Sequence, residues 1–307
     1  MAADFLRVSR RRLVVGAACV TAAGLEYASF RGAFDHRRWP GADGAQRYAA
    51  SLATLAGDHA GSGLVHIGHS THLVVLGGVR FLTDPWFYDP AFGALSHDVR
   101  PAVAPSGLGV LDAILVTHDH ADHADLRAMD EMDKRATIYA PTAELSARVR
   151  SLGFREIVLL RPWEAHRQQG VTVTAVPALH DIYEVGYVLQ ARGRSVYFAG
   201  DTRLHPDLPA LAERFAPTAA ILPVDGTRLT GAALHVMTPA DAVMAARTLG
   251  VKLVLPSHAE ARFSDPLAEH VLASTVPQAR HRFFELMTAQ LPAVACPVPE
   301  PGELVTL

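Results

Sequence analysis

The chain has 307 residues, half of them hydrophobic, which is enough for one large core, and its formal net charge at pH 7 is −3. The near balance of 28 basic and 31 acidic residues excludes the basic surface that a nucleic-acid-binding protein needs. Two cysteines exclude a disulfide framework and a structural thiolate metal site, whereas 16 histidines are unusual and direct attention to metal ligands of the nitrogen and oxygen type.

The first thirty residues combine a twin arginine with a short apolar run. Arginines at positions 10–12 precede a weakly hydrophobic stretch over residues 13–25, which is shorter than the ~20 apolar residues of a membrane-spanning helix. This pattern is typical of a twin-arginine export signal, with an amphipathic or disordered basic leader as the alternative. We therefore predict a signal or membrane-anchor segment over residues 1–30. The protein is then expected to be exported and periplasmic or membrane-anchored, and cytoplasmic if these residues are no signal.

Short apolar runs begin after a mixed, glycine-rich approach segment over residues 31–62. Three strands are predicted over residues 64–67, 73–76 and 79–83. Gly68 and the pair Gly77-Gly78 separate these runs and predict hairpins. Further strands are predicted over residues 113–117, 137–140, 156–160, 171–176, 185–191, 195–199, 219–224 and 252–256, and helices over 124–134, 142–150, 207–215, 239–249 and after 265. Hairpins followed by strand–helix alternation predict an α/β fold in which packed sheets carry helices outside.

The helix predicted over residues 239–249 has clear ends. Thr238 is a suitable N-cap, Pro239 suits the first helical position and Asp241 suits the first turn. Gly250 is typical of a helix C-terminus, so both boundaries follow from local sequence.

A dense group of metal-binding residue types follows the strand predicted over 113–117. His118 and His120 lie two residues apart and can face one ion, while Asp122 and His123 can face another. Crowded imidazoles and carboxylates need partners once they are desolvated, and a cation is such a partner. A solvated polar loop is the alternative. His180, Asp201 and His258 each lie just past an apolar run, so they are expected to converge on the same edge of the sheets.

The run from His118 to His123 resembles the HxHxDH signature of the metallo-β-lactamase superfamily. Within it, the chain is similar to the branch that holds N-acyl-phosphatidylethanolamine phospholipase D and the ascorbate-6-phosphate lactonase-like proteins. That similarity lies in four segments, over residues 67–71, 82–85, 200–202 and 235–242. The resemblance implies a four-layer αββα sandwich with one hydrolase domain over residues 31–307.

The resemblance also implies a site for two divalent metal ions. His118, His120 and His180 would hold the first, Asp122, His123 and His258 the second, and Asp201 would bridge them. Ligands of this kind fit catalytic zinc best, and manganese or iron is also compatible. Asp84 would support the histidine loop without binding metal itself.

The reaction implied is hydrolysis, because His120 stands where a redox di-iron member of the fold would usually carry a carboxylate. Two cations about 3.5–4 Å apart would generate a hydroxide nucleophile from a shared water. Asp122 or Asp201 would orient that water, and His235 would contact substrate or act as general acid, with a surface histidine beside a helix as the alternative. A phosphodiester or phospholipid-like substrate is favoured, a lactone is the alternative, and a non-catalytic metal-binding protein is a lesser one.

Several neighbours of the motifs have two interpretations each. His66 and His69 are expected to be buried and hydrogen-bonded, with His69 supporting the metal site from behind the ligands. Residues 86–88 form either an apolar lip for an acyl chain or part of the core. Arg228 either pairs with a phosphate or is solvated. The chain departs from the branch pattern at Asp181, where an aromatic residue is common, and over residues 257–260, where a tryptophan usually follows the histidine, and both departures leave the substrate open. The expected partner is a small molecule or a lipid, membrane association would occur through the N-terminal segment, and the sequence predicts no oligomeric state.

Overall fold

The computed structural model describes residues 42–57, 61–231, 233–263 and 273–307. The predicted signal over residues 1–30 and part of the region after 265 lie outside these ranges. Within them, no helix combines the length and the apolarity that crossing a bilayer requires.

Seventeen strands and six α-helices occur in the described residues. The strands are β1 (Gly63–Gly68), β2 (Thr71–Leu76), β3 (Val79–Thr83), β4 (Leu95–His97), β5 (Ala113–Leu115), β6 (Thr137–Ala140), β7 (Ile157–Leu159), β8 (Ala165–Gln168), β9 (Val171–Pro177), β10 (Val185–Ala191), β11 (Arg194–Phe198), β12 (Ala219–Pro223), β13 (Arg228–Leu229), β14 (Leu253–Ser257), β15 (Ala261–Phe263), β16 (Ala273–Ser274) and β17 (Leu304–Thr306). The helices are α1 (Ala42–Gly57), α2 (Leu126–Glu131), α3 (Ala143–Ser151), α4 (Leu208–Phe215), α5 (Pro239–Leu249) and α6 (Ala279–Gln290), with a 3₁₀ turn at Pro105–Gly107.

The first sheet has seven strands in the order β17-β1-β2-β3-β5-β6-β7. Antiparallel pairing of β1, β2 and β3 confirms the predicted hairpins. Gly77 and Gly78 join β2 to β3 with φ values of +62° and +87°, which side chains other than glycine rarely adopt. From β3 onwards the strands run parallel, so the loops after β3 and β5 leave the same edge of the sheet.

The second sheet has six strands in the order β14-β12-β11-β10-β9-β8. Strands β11, β12 and β14 are parallel, so the loops that follow them also meet at one edge. One hydrophobic cluster lies between the sheets and takes residues such as Phe81 and Leu115 from the first and Tyr187 and Phe198 from the second.

Helices cover the outer face of each sheet. Tyr48 of α1 and Leu145 of α3 are buried in a cluster with residues of the first sheet, and Leu211 of α4 and Phe283 of α6 are buried in a cluster with residues of the second. The order of layers is therefore helix, sheet, sheet, helix, which confirms the predicted αββα sandwich.

Helix α5 has the bounds that its capping residues predicted. The Thr238 hydroxyl accepts a hydrogen bond from the backbone N–H of Asp241, and the Asp241 carboxylate accepts one from the N–H of Thr238, which is a capping box. The helix ends before Gly250, whose N–H donates to the carbonyl of Ala246. Local chemistry fixes both ends.

Several elements were not predicted. The approach segment over residues 31–62 contains helix α1, whose Tyr48 and Ser51 are buried. The missed strands are β4, β8, β13, β15, β16 and β17, each of two to four residues. Strands this short form because a partner strand is present, which sequence periodicity does not report.

Candidate metal centre

The histidine loop follows β5 and is fixed by Asp84 of the neighbouring strand. Because β3 and β5 are parallel with Thr83 opposite Leu115, Asp84 comes directly beside Thr117. Asp84 Oδ1 accepts the backbone N–H of Thr117 at 2.8 Å, and Oδ2 accepts the Thr117 hydroxyl at 2.7 Å. Oδ2 also lies 2.7 Å from His123 Nδ1, so one buried carboxylate holds both ends of the loop.

Two groups of potential metal ligands converge at this edge, and within each group the ligand atoms lie within 4.8 Å of one another. The outer cluster consists of His118, His120, His180 and Asp201, of which His120 and His180 are only half-buried. The inner cluster consists of His69, Asp122, His123 and His258, all of them buried. The structure thus brings together the seven predicted ligands and adds His69.

Asp201 lies between the two clusters. Its Oδ2 is 3.1 Å from His123 Nε2 and 3.0 Å from His258 Nε2, both of the inner cluster. The same oxygen is 3.8 Å from His118 Nε2 of the outer cluster. This position suits a carboxylate that bridges two cations.

Most of the ligand histidines have a second ring nitrogen that faces a protein acceptor. His123 Nδ1 faces Asp84, and His258 Nδ1 lies 3.1 Å from Asp225 Oδ2. The hydrogen bond to Asp84 places the N–H of His123 on Nδ1 and leaves the lone pair of its Nε2 directed into the cluster, whereas His258 Nδ1 approaches Asp225 without a hydrogen bond among the described residues.

In the outer cluster the supporting acceptors include a hydroxyl and a backbone carbonyl, and the Glu184 carboxyl lies 3.2 Å from His118 Nδ1. The Thr117 hydroxyl, which donates to Asp84, can accept His118 Nδ1–H at 2.9 Å. The backbone carbonyl of His235 lies 3.3 Å from His180 Nδ1. His120 has a different orientation, since its Nδ1 lies 2.9 Å from His118 Nε2 and faces the cluster. Through Thr117, Asp84 supports one histidine of each cluster.

A third grouping, Asp84 with His118 and His123, also meets the distance criterion for a metal site. Both Asp84 oxygens already accept hydrogen bonds from the loop. Asp84 therefore supports the ligands and is not counted among them.

Burial determines the charge state of the outer histidines. It lowers the pKa of His118 to about 3, with the neighbouring His123 acting in the same direction. Burial likewise lowers the pKa of His180 to about 4. Both imidazoles are therefore neutral at pH 7, which is the form that binds a metal.

Neighbouring carboxylates control the pKa of His123 in the inner cluster. Burial alone would lower the pKa of His123, but Asp201, Asp122 and Asp84 together raise it well above its ordinary value. Burial would similarly raise the pKa of Asp201, but His123 and His258 hold it well below its usual range. The buried carboxylates of Asp122 and Asp201 need positive charge nearby, which either protonated histidines or a cation can supply.

The buried polar atoms without a hydrogen-bond partner test whether a cation fits. Among the described residues they include both ring nitrogens of His69, Nε2 of His123, Oδ1 of Asp122 and Oδ1 of Asp201. Buried polar atoms are nearly always paired, and here several unpaired ones share a single location. All are nitrogen or oxygen donors, a set that fits zinc and is compatible with manganese or iron.

Two buried carboxylates near the ligands were missed by the sequence analysis. Asp225 directly follows β12, just as Asp201 comes soon after the neighbouring parallel strand β11, so strand order could have identified it. Glu184 Oε1 accepts the backbone N–H of Asp201 at 2.7 Å and lies 3.2 Å from His118 Nδ1. Burial raises the pKa of Glu184 to about 7. A Cβ on Gly200 would lie 2.3 Å from that oxygen, so glycine is required there.

His235 lies at the mouth of the outer cluster. Its Nδ1 is 2.6 Å from Asp181 Oδ2, and its ring centroid is 4.3 Å from that of His180. It also stacks on His120 at 5.7 Å. These contacts place His235 beside two predicted ligands, and its role as substrate contact or general acid stays a prediction. Arg203 Nη2 lies 3.4 Å from Asp181 Oδ1 and holds the carboxylate from its other side.

Several apolar side chains lie near the outer cluster in sequence or in space. Leu179, Ile182 and Tyr183, next to His180 and Asp181 in sequence, are 42%, 39% and 51% exposed. Phe92 packs edge-on against His120 at 5.5 Å. The predicted lip at residues 86–88 is wrong, because Trp86, Phe87 and Tyr88 are buried in the interior.

The remaining predictions have different outcomes. His66 is hydrogen-bonded as expected, with Nε2 2.9 Å from Glu260 Oε2 and Nδ1 3.2 Å from His72. His69 is buried, but the expected hydrogen bonding of its ring is wrong, since neither ring nitrogen has a partner. Arg228 is exposed in β13, and its contact with a phosphate stays a prediction.

Comparison with known proteins gives a consistent picture. A family model described as beta-lactamase superfamily domain matches residues 79–259. A metal-dependent hydrolase of Rubrobacter xylanophilus is 33% identical over 213 residues, covering 64% of this chain and 81% of the relative. A second, from Caldivirga maquilingensis, is 27% identical over 250 residues, covering 78% and 96%.

Solved structures share the fold. A structure described as a possible metal-dependent hydrolase from Veillonella parvula aligns with a TM-score of 0.68 and 20% identity, covering 81% of this chain and all of that one. An isothiocyanate hydrolase from Delia radicum gut bacteria aligns with a TM-score of 0.66 and 21% identity, covering 80% and 99%. At these identities the likeness concerns the fold alone.

Proposed function

The chain belongs to the beta-lactamase superfamily and is a metal-dependent hydrolase of the metallo-β-lactamase fold, and on this premise we propose that it cleaves a phosphodiester or phospholipid-like substrate with two divalent ions. The ions would be zinc and would occupy the outer and inner clusters. The finer resemblance to the N-acyl-phosphatidylethanolamine phospholipase D branch stays a prediction.

The observation that carries the proposal is the position of Asp201. One of its oxygens lies within 3.8 Å of ligand nitrogens from both clusters. Two adjacent sites that share one carboxylate are the arrangement of two-metal hydrolases. When bound, the ions would activate water and stabilise the negative charge that develops on the substrate.

Asp122 and Asp201 would orient the attacking water. Each has an Oδ1 atom that is buried and without a hydrogen-bond partner among the described residues. A carboxylate oxygen accepts hydrogen bonds, so each can accept one from the water and direct its lone pair towards the substrate.

His235 would donate a proton to the leaving oxygen. Its Nδ1 faces Asp181, which leaves Nε2 as the nitrogen available to a substrate. Asp181 itself is held by Arg203, so the ring has a defined orientation against His120 and His180. A carboxylate–imidazole pair at the rim of a catalytic cleft is a suitable general acid.

The rim of the cleft supports a substrate with an apolar part. Three large apolar side chains, Leu179, Ile182 and Tyr183, are exposed next to a metal-binding histidine. Exposed apolar groups in this position are typical of ligand-binding surfaces, because a bound apolar chain would remove them from water. An acyl chain beside a phosphodiester combines this feature with two-metal chemistry.

A substrate panel on the full-length protein tests the proposal, with His120→Ala as the inactive control. The panel contains bis(p-nitrophenyl) phosphate, an N-acyl phosphatidylethanolamine, several lactones and an isothiocyanate, the last because of the Delia radicum gut enzyme. Diester or phospholipid cleavage that is lost in the variant is the expected result. Turnover of lactones alone would replace the proposal with the lactonase alternative, and turnover of the isothiocyanate alone would replace it with that reaction.

Export through residues 1–30 is proposed on the twin-arginine pattern. Fractionation of a host that carries a tagged chain should place the protein in the periplasm or the membrane. Replacing the arginines at positions 10 and 11 by lysine should retain it in the cytoplasm, and unchanged export would contradict the proposal.

A further inference from the structure

We propose that His69 is a direct ligand of the metal ion in the inner cluster, beside the three other side chains of that cluster. The inference rests on the metal binding proposed above and is independent of the substrate. It differs from the role that the sequence suggested for His69, which was support from behind the ligands.

The ring of His69 is the first line of argument. It is buried, and neither Nδ1 nor Nε2 has a hydrogen-bond partner. A structural histidine in a core is normally hydrogen-bonded, because an unpaired imidazole loses its hydration without compensation. His66, three residues earlier, shows the structural case, since both its ring nitrogens have partners.

The surroundings of the ring give the second line. His69 Nε2 lies 3.8 Å from Asp122 Oδ2, and the ring centroid lies 4.3 Å from that of His258. The ring of His123 is 5.9 Å away. His69 thus faces other potential ligands, and its ring nitrogens have no hydrogen-bond partner among the described residues, which is the environment of a metal ligand.

The backbone gives the third line. His69 has φ +53°, the left-handed conformation that non-glycine residues seldom adopt because it is strained. Glu260 Oε2 accepts the N–H of His69 at 2.9 Å, and the same carboxylate contacts His66 and Arg280. The surrounding residues therefore hold the β1–β2 turn in the conformation that directs this ring into the cluster.

The consequence is an asymmetric centre. With His69, the inner ion has three imidazoles and Asp122, in addition to the shared Asp201, whereas the outer ion has three imidazoles and Asp201. The inner ion would then be enclosed by protein, and the outer ion would keep the open position that a substrate needs.

The test uses the wild-type, full-length protein labelled with ¹⁵N-histidine and loaded with ¹¹³Cd²⁺. Each cluster contains three histidines, so six imidazoles should show ¹⁵N–¹¹³Cd coupling, His69 among them. Coupling at the other five without His69 would overturn this inference and leave the proposed function intact. Absence of coupling at every histidine would overturn both.

A variant pair provides an independent readout. His69→Gln should lower the affinity for one of two Zn²⁺ ions by more than about 100-fold in competition with a chelator, beyond the roughly 10–100-fold loss typical of residues that only support ligands. His97→Gln is the matched control, because His97 is also buried and stacks on Trp86, the same ring that His69 contacts edge-on. It should bind both ions as the wild type does. Wild-type affinity in His69→Gln would contradict the inference.

Discussion

The outer and inner clusters contain the same residue types, three histidines and one aspartate, yet they differ in exposure and in support. All four inner side chains are buried, whereas His120 and His180 of the outer cluster are half-buried. The carboxylates of Asp84 and Asp225 lie beside His123 and His258 of the inner cluster. Beside the outer histidines lie a hydroxyl, a backbone carbonyl and the Glu184 carboxyl, whose pKa burial raises to about 7. Because an ionised carboxylate makes an imidazole a stronger ligand, we expect the inner cluster to retain an ion more firmly and the half-buried outer cluster to exchange water for substrate.

The fold explains this difference. Inner ligands come from the β1–β2 turn, the histidine loop and the end of β14, and all four are buried. The outer cluster includes His180, just past β9, where the chain carries exposed apolar residues. Asp201 connects the two environments.

The largest effect is expected for Asp84→Asn, because Asp84 supports a histidine in each cluster. The amide NH2 would face donors in either orientation, the Thr117 backbone N–H at the position of Oδ1 or the Thr117 hydroxyl and His123 Nδ1–H at the position of Oδ2. Zn²⁺ affinity should fall up to about 100-fold at both sites, as measured by chelator competition. Asp125→Asn, a buried helix cap outside the clusters, is the control. A loss confined to one site would contradict the shared role of Asp84.

The second-largest effect concerns the pH dependence of the free energy of unfolding and involves His72, a buried histidine whose Nε2 lies 3.2 Å from His66 Nδ1. Burial lowers the pKa of His72 to about 3 from its ordinary 6.5. The unfolded chain therefore binds more protons than the folded one between these values, and the stability that neutral His72 preserves above pH 6.5 is lost as the pH falls towards 3. Between pH 7 and pH 5 the metal-free protein should lose about 2 kcal/mol of unfolding free energy through this residue.

Urea unfolding in the presence of a chelator measures this loss. His72→Gln should show a decrease between pH 7 and pH 5 that is smaller by about 2 kcal/mol than in the wild type. An equal decrease in both proteins would show that His72 does not titrate as its burial requires.

A pair of variants tests whether the two clusters are supported independently. Thr117→Val removes the acceptor of His118 Nδ1–H and should weaken the outer site about tenfold, whereas Asp225→Asn removes the carboxylate beside His258 and should weaken the inner site by a similar factor. Cadmium-coupled histidine resonances of each cluster report which ion is lost. Loss of the same ion in both variants would mean that the two clusters are not independently supported.

The smallest effect is expected for Asp181→Asn at the mouth of the outer cluster. Asparagine retains the shape but weakens the hold on His235, so kcat should fall about tenfold, part of the 10²–10⁴ that general acid–base catalysis contributes. Metal content and KM should stay at wild-type values. Asp207→Asn, an aspartate beside His205, is the control, and an equal fall in its kcat would argue against a specific role for Asp181.

The sequence predicted the features that depend on local chemistry. The bounds of α5 follow from its caps, and the seven ligands follow from a dense motif and from strands that end at one edge. Side-chain direction was less predictable. Trp86 follows Asp84 closely in sequence, yet its ring points into the interior, where it contacts His69 and His97.

Long-range partners account for the other differences. Glu184 and Asp225 are single acidic residues beside apolar strands, and their roles depend on Asp201 and His258 far along the chain. His69 illustrates the same limit, since the absence of a partner for its ring becomes visible only when the surrounding residues are in place.

We propose that this chain binds two metal ions in adjacent, unequal sites. Elemental analysis of the full-length protein after removal of loosely bound metal tests it most directly, with His120→Ala and His258→Ala alongside. About two zinc ions per wild-type chain are predicted, with the outer one lost in His120→Ala and the inner one weakened in His258→Ala. A single ion per wild-type chain, or none, would contradict the binding of two metal ions in adjacent sites.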